Sequence, residues 1–367
     1  MFTSSPRFAT LAQQVARMLE EDIRRGVWRE TLPGERQLAA TLQVSRRTIR
    51  AATVILSEKK LIHTVHGAET RVLKPQSGRS DRGAMRAVGL LLPDQLEHLQ
   101  PFATVFVDSL RMHFYNNEFR LDTHVGHRYF SGRPAAALTR LVTRSPCDGW
   151  ILAFSNRASQ VWFHAQGIPT IVIGTAHDGI ALPFVDIDML ATSRHAAGVL
   201  LRKGHRHIAL IIEESERPGD AKTQQGFFEG LRDFGEASAI GHVFRHGGNV
   251  VRLQRLVERI LQMPDRPTAL FIANPYHYLA VAGILAEKGL RVPRDISLLC
   301  RDDDYCLRFL PTAPSRYVYS ATMRAKEIFS TLMWATQHQA RPAEEVKRVL
   351  ILPEYFEGGS IAALDRK

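Results

Sequence analysis

Residues 32–62 read LPGERQLAATLQVSRRTIRAATVILSEKKLI, and this stretch decides the fold of the N-terminal part of the chain. Its apolar side chains recur at helical spacing in two blocks, which are separated by a short turn at Gln43 and Val44. Pro33 suits the opening of the first helix, where its missing N–H would have no partner, and Ser45 suits the N-cap of the second. The stretch therefore predicts a helix-turn-helix.

The two faces of this predicted motif differ in chemistry. The side expected to face the core carries Leu38, Ala39, Leu42, Ile49, Ala52, Thr53 and Leu56. The opposite side of the second helix carries Arg46, Arg47, Thr48, Arg50 and Ala51. Arginine can bind guanine edges or phosphates, and Thr and Ala methyls can meet thymine methyls, so this side suits the major groove of DNA. The alternative is a basic helix face that is only exposed to solvent. That alternative would not explain why the turn, the N-cap and the flanking sequence all match one DNA-binding motif.

The sequence on both sides of this stretch supports the same fold. An amphipathic helix is predicted before it, with an apolar stripe at Phe8, Leu11, Val15, Leu19 and Ile23. Two runs rich in β-branched and aliphatic residues follow it, Leu61–Val65 and Thr70–Leu73, and they flank His66-Gly67-Ala68 as in a β-hairpin. Residues 6–73 are therefore predicted to form a winged helix-turn-helix.

This region resembles the GntR family of bacterial transcription regulators, in which an LPSER-LA motif, a VSRTTVR-A motif and a glycine-containing wing follow one another. The matching residues are Leu32, Pro33, Glu35, Arg36, Leu38, Ala39, Val44, Ser45, Arg46, Thr48, Arg50, Ala51 and Gly67. The resemblance implies that the residues lying against DNA are Arg36, Ser45, Arg46, Arg47, Thr48, Arg50 and Gly67. The sequence departs from the family at Glu69, where a second wing glycine is usual.

Charge and composition fit a nucleic-acid-binding protein. The 367 residues carry a formal net charge of +11, and residues 1–80 hold 14 Lys and Arg against 7 Asp and Glu, so +7 of that charge lies around the predicted motif. No run approaches the roughly 18 apolar residues of a membrane span, and the N-terminus lacks the apolar segment of a secretory signal. The three cysteines have no CxxC spacing, which favours reduced thiols. We expect a cytoplasmic protein.

The remainder of the chain predicts a second domain with a different pattern. Residues 74–86 are polar and contain Gly and Ser, which predicts a linker between a DNA-binding domain at 1–73 and an effector domain at 87–367. Short apolar runs then alternate with helical segments, which is typical of α/β folds with parallel sheets. The predicted strands are Ala87–Leu92, Phe119–Val125, Gly149–Ala153, Thr170–Ile173, His207–Ile212, Ile240–Phe244, Ala269–Ile272 and Ile296–Leu299. The predicted helices include Phe102–Asn116, Thr192–Arg202, Gln224–Phe234, Val250–Leu261 and Tyr276–Glu287. About 280 residues suit two lobes with a ligand-binding cleft between them.

The order of short motifs in this domain is similar to the effector domain of LacI/GalR-type repressors, which share the periplasmic-binding-protein fold. The motifs include AVGLLLPD at 87–94, CDGWIL at 147–152, GIPTIV at 167–172, GHRHIA at 204–209, PTALF at 267–271 and GLRVPRDIS at 289–297. A GntR-type head on such a domain is the arrangement of the arabinose-repressor group. The resemblance implies a homodimer that binds double-stranded operator DNA, as a repressor, and responds to a small molecule, which we expect to be a sugar or sugar derivative.

The same resemblance suggests which residues bind the effector, namely Asp94, Phe102, Thr223, Asn274 and Asp302. Asp302 could accept hydrogen bonds from sugar hydroxyls, or it could cap a turn, and Phe102 could stack on an apolar sugar face. Thr223 stands where the family has an arginine, and Asn274 precedes a proline instead of an aspartate, so the ligand chemistry is expected to differ from that of common sugars. Arg301 either supplies a replacement charge or points to solvent.

Metal, cofactor and catalytic chemistry are not predicted. His205 and His207 match the family's helix-to-strand turn, and no further ligand follows at zinc-like spacing. Phosphate-loop, zincin and nucleophile-elbow motifs are absent from the sequence. Two alternatives from other classes are an aminotransferase-like enzyme with a GntR head, which needs a longer chain, and a cytoplasmic sugar-binding receptor without gene control. The helix-turn-helix argues against the second.

Overall fold

The computed structural model divides the chain into two compact units, Met1–Ala84 and Met85–Lys367. The residues that it describes are 11–24, 28, 31–42, 44–58, 61–63, 70–72, 85–96, 99, 101–234, 239–338 and 346–364. The predicted linker at 74–86 lies outside these residues except for its last two positions, so the predicted domain limits of 1–73 and 87–367 stay predictions.

The first unit contains the predicted helix-turn-helix. Its elements are α1 (Leu11–Arg24), α2 (Glu35–Thr41), α3 (Arg46–Glu58), β1 (Ile62–His63) and β2 (Arg71–Val72). The short strands β1 and β2 pair antiparallel, with Ile62 opposite Val72, so the base of the predicted wing is confirmed. The wing tip at 64–69, including Gly67, lies outside the described residues, as does Phe8.

The core of the first unit explains why α3 presents its basic side outward. Ile49, Ala52 and Leu56 of α3 are fully buried, and they pack with Leu38 of α2 and with Leu19 of α1. The core-facing side predicted for α3 is therefore confirmed. One detail differs, because α2 begins at Glu35 and not at the predicted proline. The backbone carbonyl of Gly34 accepts the first helical hydrogen bonds, which makes Gly34 the N-cap and leaves Pro33 in front of the helix.

The described part of the second unit forms two lobes, each built on a six-stranded sheet with helices on both faces. The first sheet has the order β13-β7-β6-β5-β3-β4, and all its neighbouring strands are parallel. Its strands are β3 (Arg86–Leu92), β4 (Phe119–Val125), β5 (Gly149–Ala153), β6 (Thr170–Ile173), β7 (Phe184–Ile187) and β13 (Arg348–Ile351). Its helices are α4 (Pro101–Asn116), α5 (Ala135–Arg144), α6 (Arg157–Gln166) and α11 (Ala321–Gln337).

The second sheet has the order β14-β12-β11-β10-β8-β9, and β14 is antiparallel to β12 while the other neighbours are parallel. Its strands are β8 (His207–Glu213), β9 (Ile240–His246), β10 (Ala269–Ile272), β11 (Ser297–Cys300), β12 (Ser315–Val318) and β14 (Glu354–Phe356). Its helices are α7 (Met189–Arg202), α8 (Pro218–Phe234), α9 (Val250–Leu261) and α10 (Pro275–Glu287). The predicted two-lobed α/β fold with mainly parallel sheets is confirmed.

Over the described residues, the chain passes between the lobes three times, after β7, after β12 and after β13. These passages hold the lobes side by side. In both sheets the parallel strands end on the side where the lobes face each other, as the lining of the cleft shows: it includes residues at the ends of β3, β5, β6 and β11. Ligands of open parallel sheets bind at this edge.

Candidate functional site

The exposed side of α3 brings together most of the predicted DNA-contacting side chains. Arg46, Arg47 and Arg50 are exposed, and Arg36 is exposed on α2. The backbone N–H of Thr48 donates to Ser45 Oγ at 3.1 Å, so Ser45 caps α3 as the sequence predicts. The two hydroxyl oxygens also lie 2.8 Å apart, which fixes both side chains at the start of the helix.

Sequence reasoning missed the partner of these arginines. Arg50 Nε donates to Glu35 Oε2 at 2.8 Å, across the turn between α2 and α3. Nη2 of Arg46 lies 4.0 Å from the same carboxylate oxygen. Glu35 opens α2, and only its place in the LPGER motif set it apart in the sequence. The carboxylate therefore lies on the surface that the resemblance assigns to DNA.

A cleft lies between the two lobes of the second unit, with about 1100 Å³ of empty space including its mouth. The wall from the first lobe is mainly apolar and includes Leu90, Leu92, Ala103, Phe106, Val107, Ala153, Phe154, Val172 and Ile173. Its polar members are Ser155, Gln160, Thr175, Asp186, Tyr319 and Arg324. The second lobe contributes Arg217, Pro218, Gly219, Asp220 and Arg301. The cleft thus has an apolar side and a strongly charged side.

Arg301 is the best-anchored group on the charged side. Its side chain is buried, and Nε and Nη2 donate to the two carboxylate oxygens of Asp302 at 3.2 and 2.8 Å. Nη1 donates to Thr223 Oγ1 at 2.8 Å and to Asp220 Oδ1 at 3.3 Å. Burial alone would lower the pKa of the guanidinium, but the two carboxylates outweigh burial and raise it, so Arg301 stays charged. Of the two alternatives that the sequence leaves open, Arg301 lines the cleft instead of pointing to solvent.

The carboxyl groups of Asp220 and Asp186 have opposite electrostatic environments. Burial would raise the pKa of Asp220, but Arg301 and Arg217 outweigh burial and lower it. Asp186 lies in β7 of the opposite lobe, and burial raises the pKa of its carboxyl even though Oδ2 accepts from the Thr175 hydroxyl at 2.7 Å. The carboxyl group of Asp220 therefore ionises at a lower pH than that of Asp186.

Three further groups shape the cleft. The Arg324 guanidinium carbon lies 4.7 Å from the centre of the Phe106 ring, which places a cation against an aromatic face. Tyr319, in the passage between β12 and α11, also lines the cleft.

Phe154, just after β5, has a φ of 54°, a left-handed conformation that is costly for an aromatic residue. Such strain clusters at binding sites, and Phe154 stands at the mouth with a partly exposed ring.

The predicted effector residues make different contacts in the structure. Thr223 and Asp302 lie behind Arg301 and hold it. Asp94 Oδ1 accepts from the Gln95 N–H, and Oδ2 lies 3.5 Å from His127 Nε2. Asn274 caps α10 by accepting from the Tyr276 N–H at 2.8 Å. None of these four side chains is among the described residues that line the cleft.

Phe102 lies in the first turn of α4, next to the lining residue Ala103, but its side chain is not among those described. The effector contacts proposed for all five residues stay predictions. The sequence did not single out Asp186, Asp220, Tyr319 or Arg324, which line the cleft. Asp186 lies in β7, Asp220 in the first turn of α8, Tyr319 between β12 and α11, and Arg324 in the first turn of α11, and only the packing of the two lobes brings them together.

His205 and His207 do not form a joint site. His205 Nδ1 lies 2.9 Å from Thr268 Oγ1, and burial lowers the pKa of His205 to about 4. His207 Nδ1 lies 3.4 Å from the Asp265 carbonyl oxygen. Within the described ranges, no group of three or more His, Cys, Asp or Glu side chains is arranged to hold a metal ion. The helices of the described residues also include none that is long and apolar enough to cross a membrane.

Family models of known proteins match parts of both units. Residues 11–72 match the family model of bacterial regulatory proteins of the gntR family, and residues 197–361 match the periplasmic binding protein-like domain. The HTH-type transcriptional repressor PurR of Haemophilus influenzae (strain PittEE) is 25% identical over 166 residues, 45% of this chain and 49% of that protein. This chain thus spans about half the length of that relative.

Two further comparisons cover more of the chain. The HTH-type transcriptional repressor CytR of Escherichia coli (strain K12) is 21% identical over 266 residues, 72% of this chain and 76% of that protein. A LacI family transcriptional regulator from Enterococcus faecium, solved with bound ribose, has a TM-score of 0.61 at 19% identity, covering 76% of this chain and 100% of the other. The last comparison establishes the fold. The chain carries a gntR-type helix-turn-helix domain followed by a periplasmic-binding-protein-like domain.

Proposed function

We propose that this protein is a ligand-responsive transcription repressor. The observation that carries the proposal is the combination, in one chain, of an exposed arginine face on a capped recognition helix and an interlobe cleft with a fixed charged group. The helix-turn-helix binds an operator half-site through Arg36, Ser45, Arg46, Arg47, Thr48, Arg50 and Gly67. The two relatives named above are repressors by name, which supports gene control over a receptor without it.

The effector is a small molecule, and we favour a sugar derivative with an apolar substituent. The charged wall offers Arg301, Arg217 and Asp220 to hydroxyl or carboxylate groups. The opposite wall is mostly aliphatic and aromatic, and sugar hydroxyls placed there would lose water without gaining partners, which is unfavourable. Bound ribose in the Enterococcus faecium structure supports a sugar-like ligand.

We further propose that the protein works in the cytoplasm as a homodimer formed through the two-lobed unit. Helix α4 exposes Val105, Met112 and Tyr115, which recur on one side of the helix at about 3.5-residue spacing. Exposed apolar patches of this kind commonly mark protein interfaces. A dimer presents two heads to a pseudo-palindromic operator. Effector binding shifts the lobes, and the linker region transmits that shift to the heads, provided that the effector prefers one state.

The DNA-binding part of the proposal is tested by substitution on α3. A duplex is first enriched by the parent protein from a randomised pool, and its affinity is then measured for Arg47→Ala and Arg50→Ala. Each change should cost about 1–3 kcal/mol, because it removes a base or phosphate contact. The control is Arg144→Ala, an exposed arginine at the end of α5 in the second unit, which should bind as the parent does. Parent-like affinity in both α3 variants would contradict the assignment of the recognition helix.

The effector is sought by thermal shift of the full chain against monosaccharides, oligosaccharides, uronic acids, sugar phosphates and aryl glycosides. A ligand at about 100 times its dissociation constant adds roughly 2.7 kcal/mol of stability. A hit should weaken in Arg301→Ala and persist in Arg144→Ala. Hits restricted to unsubstituted sugars would contradict the preference for an apolar substituent.

A further inference from the structure

We propose that Glu35 is a positioning residue that holds Arg50 to read a guanine base and not a phosphate. This inference rests on the proposed function, because it concerns how the helix-turn-helix discriminates among DNA sequences. The supporting contact is the hydrogen bond from Arg50 Nε to Glu35 Oε2 at 2.8 Å, which joins the first residue of α2 to the exposed side of α3.

The donor inventory of Arg50 shows what remains for DNA. A guanidinium has five N–H groups, one on Nε and two on each Nη atom. The carboxylate takes the Nε–H, and both Nη groups stay without a partner among the described residues. The paired Nη groups form the fork that matches O6 and N7 of guanine. The contact with Glu35 therefore leaves the base-reading end of the side chain available.

The charge of Glu35 decides between a base and a phosphate. A phosphate bound by Arg50 would lie close to the Glu35 carboxylate, and two anions at that distance repel each other. Guanine O6 and N7 are neutral acceptors, so they can meet the fork without that penalty. The carboxylate thus disfavours phosphate contacts, which every DNA sequence offers, and leaves the guanine contact, which depends on sequence, unaffected.

Neighbouring arginines are held less closely. Arg46 reaches the same carboxylate oxygen only at 4.0 Å, and Arg47 forms no ion pair with any described residue. Arg47 is therefore free to bind phosphates. In this arrangement the exposed side of α3 carries Arg50, which Glu35 holds for base reading, and Arg47, which contributes affinity for any DNA sequence.

The test measures sensitivity to a single guanine atom. Each guanine of the enriched duplex is replaced in turn by 7-deazaguanine, which lacks the N7 acceptor, and binding of the full-length parent is measured. The guanine whose penalty disappears in Arg50→Ala is the one that Arg50 reads. At that guanine the parent should lose about fivefold in affinity, since a good bidentate contact discriminates by at least this factor.

The decisive comparison is Glu35→Ala at the same guanine. We expect the 7-deazaguanine penalty to fall below about twofold, while affinity for an unrelated duplex rises. Glu35→Gln keeps an acceptor for Nε but loses the charge, so it should keep part of the penalty and still gain affinity for the unrelated duplex. Glu58→Ala removes the same charge from an exposed position of α3 and should keep the parent's penalty. The melting temperature should stay the same in all variants, because exposed ion pairs contribute little to stability.

Two results would overturn the inference while leaving the proposed function intact. One is an undiminished penalty in Glu35→Ala, and the other is an Arg50→Ala variant that keeps its sensitivity at every guanine. A parent protein that enriches no sequence from the pool would instead overturn the proposed function, and this inference with it.

Discussion

Arg301 shows how a single residue can organise a binding wall. The resemblance to known repressors pointed to Thr223 and Asp302 as possible ligand contacts, yet in the structure both serve as supports for the arginine between them. Asp220, a third support, is 81 positions away in sequence. The sequence could show that Arg301 was unusual at its position, but two of its three partners, Asp220 and Thr223, come from α8. Only the packing of the fold brings α8 close to Arg301.

Asp186 allows a prediction about pH. Burial raises the pKa of its carboxyl, so the folded state holds the proton at pH values where the unfolded chain has released it. This group's contribution to stability is therefore greatest at low pH and is lost as pH rises above the unfolded value, with a slope of at most about 1.4 kcal/mol per pH unit. Asp186→Asn removes this dependence, because the amide does not titrate.

The expected result is that Asp186→Asn gains stability relative to the parent as pH rises from 4 to 7. Denaturant unfolding at several pH values in that range measures the difference. Asp178→Asn serves as the control, because it removes an exposed carboxyl group from a loop of the same lobe. A constant difference between Asp186→Asn and the parent at all pH values would show that Asp186 titrates alike in both states.

Among the elements, α3 contributes to the core through its buried side, and its exposed side carries the contacts proposed for DNA. Ile49 is fully buried, whereas Val54 on the same helix is 56% exposed. Ile49→Ala should destabilise the first unit by about 2–5 kcal/mol, because it leaves a cavity. Val54→Ala should change stability by less than about 0.5 kcal/mol. Hydrogen exchange should show faster exchange in α3 of Ile49→Ala and unchanged protection in β8 and β10, whereas equal effects in both units would contradict their independence.

Strands with an uninterrupted apolar pattern were predicted, and so was β4, in which apolar residues alternate with charged or polar ones. Strands β5, β6 and β10 were placed with their observed limits, because all their residues are apolar or small and lie inside the sheet. Strands β7 and β12 were missed, since each is short and carries a charged residue in its middle. Asp186 in β7 and Arg316 in β12 are buried, and Thr175 and Asp303 are among the partners that they have there. Local sequence does not reveal such partners.

For the whole molecule, the proposed dimer predicts a dependence on operator geometry. Two heads on one dimer bind half-sites that face the same side of the duplex, about one helical turn or a multiple apart. Inserting about 5 base pairs, half a turn, between the half-sites should rotate one of them away from its head. Affinity should then fall to that of a single half-site, and inserting about 10 base pairs should restore part of it.

Gel shift across this spacing series, with sedimentation to count protomers per duplex, measures the effect. Complexes that hold one protomer at every spacing would contradict the dimer.

The sequence predicted the order of the two domains from the change in pattern near residue 87, because the apolar residues of helix-turn-helix and parallel-sheet segments recur with different periods. It did not predict that three passages connect the lobes, since β13 and β14 are short and are exposed at alternate positions.

The passages between the lobes also determine when each sheet can be completed during synthesis of the chain. The first sheet is complete only when β13 joins β7, and 160 residues lie between the end of β7 at 187 and the start of β13 at 348. A ribosome adding about 5–20 residues per second needs on the order of ten seconds or more to make them. The N-terminal head meanwhile emerges with its own core complete. Each nascent chain therefore passes through a period in which the proposed DNA-binding head is folded while the proposed effector cleft is still incomplete.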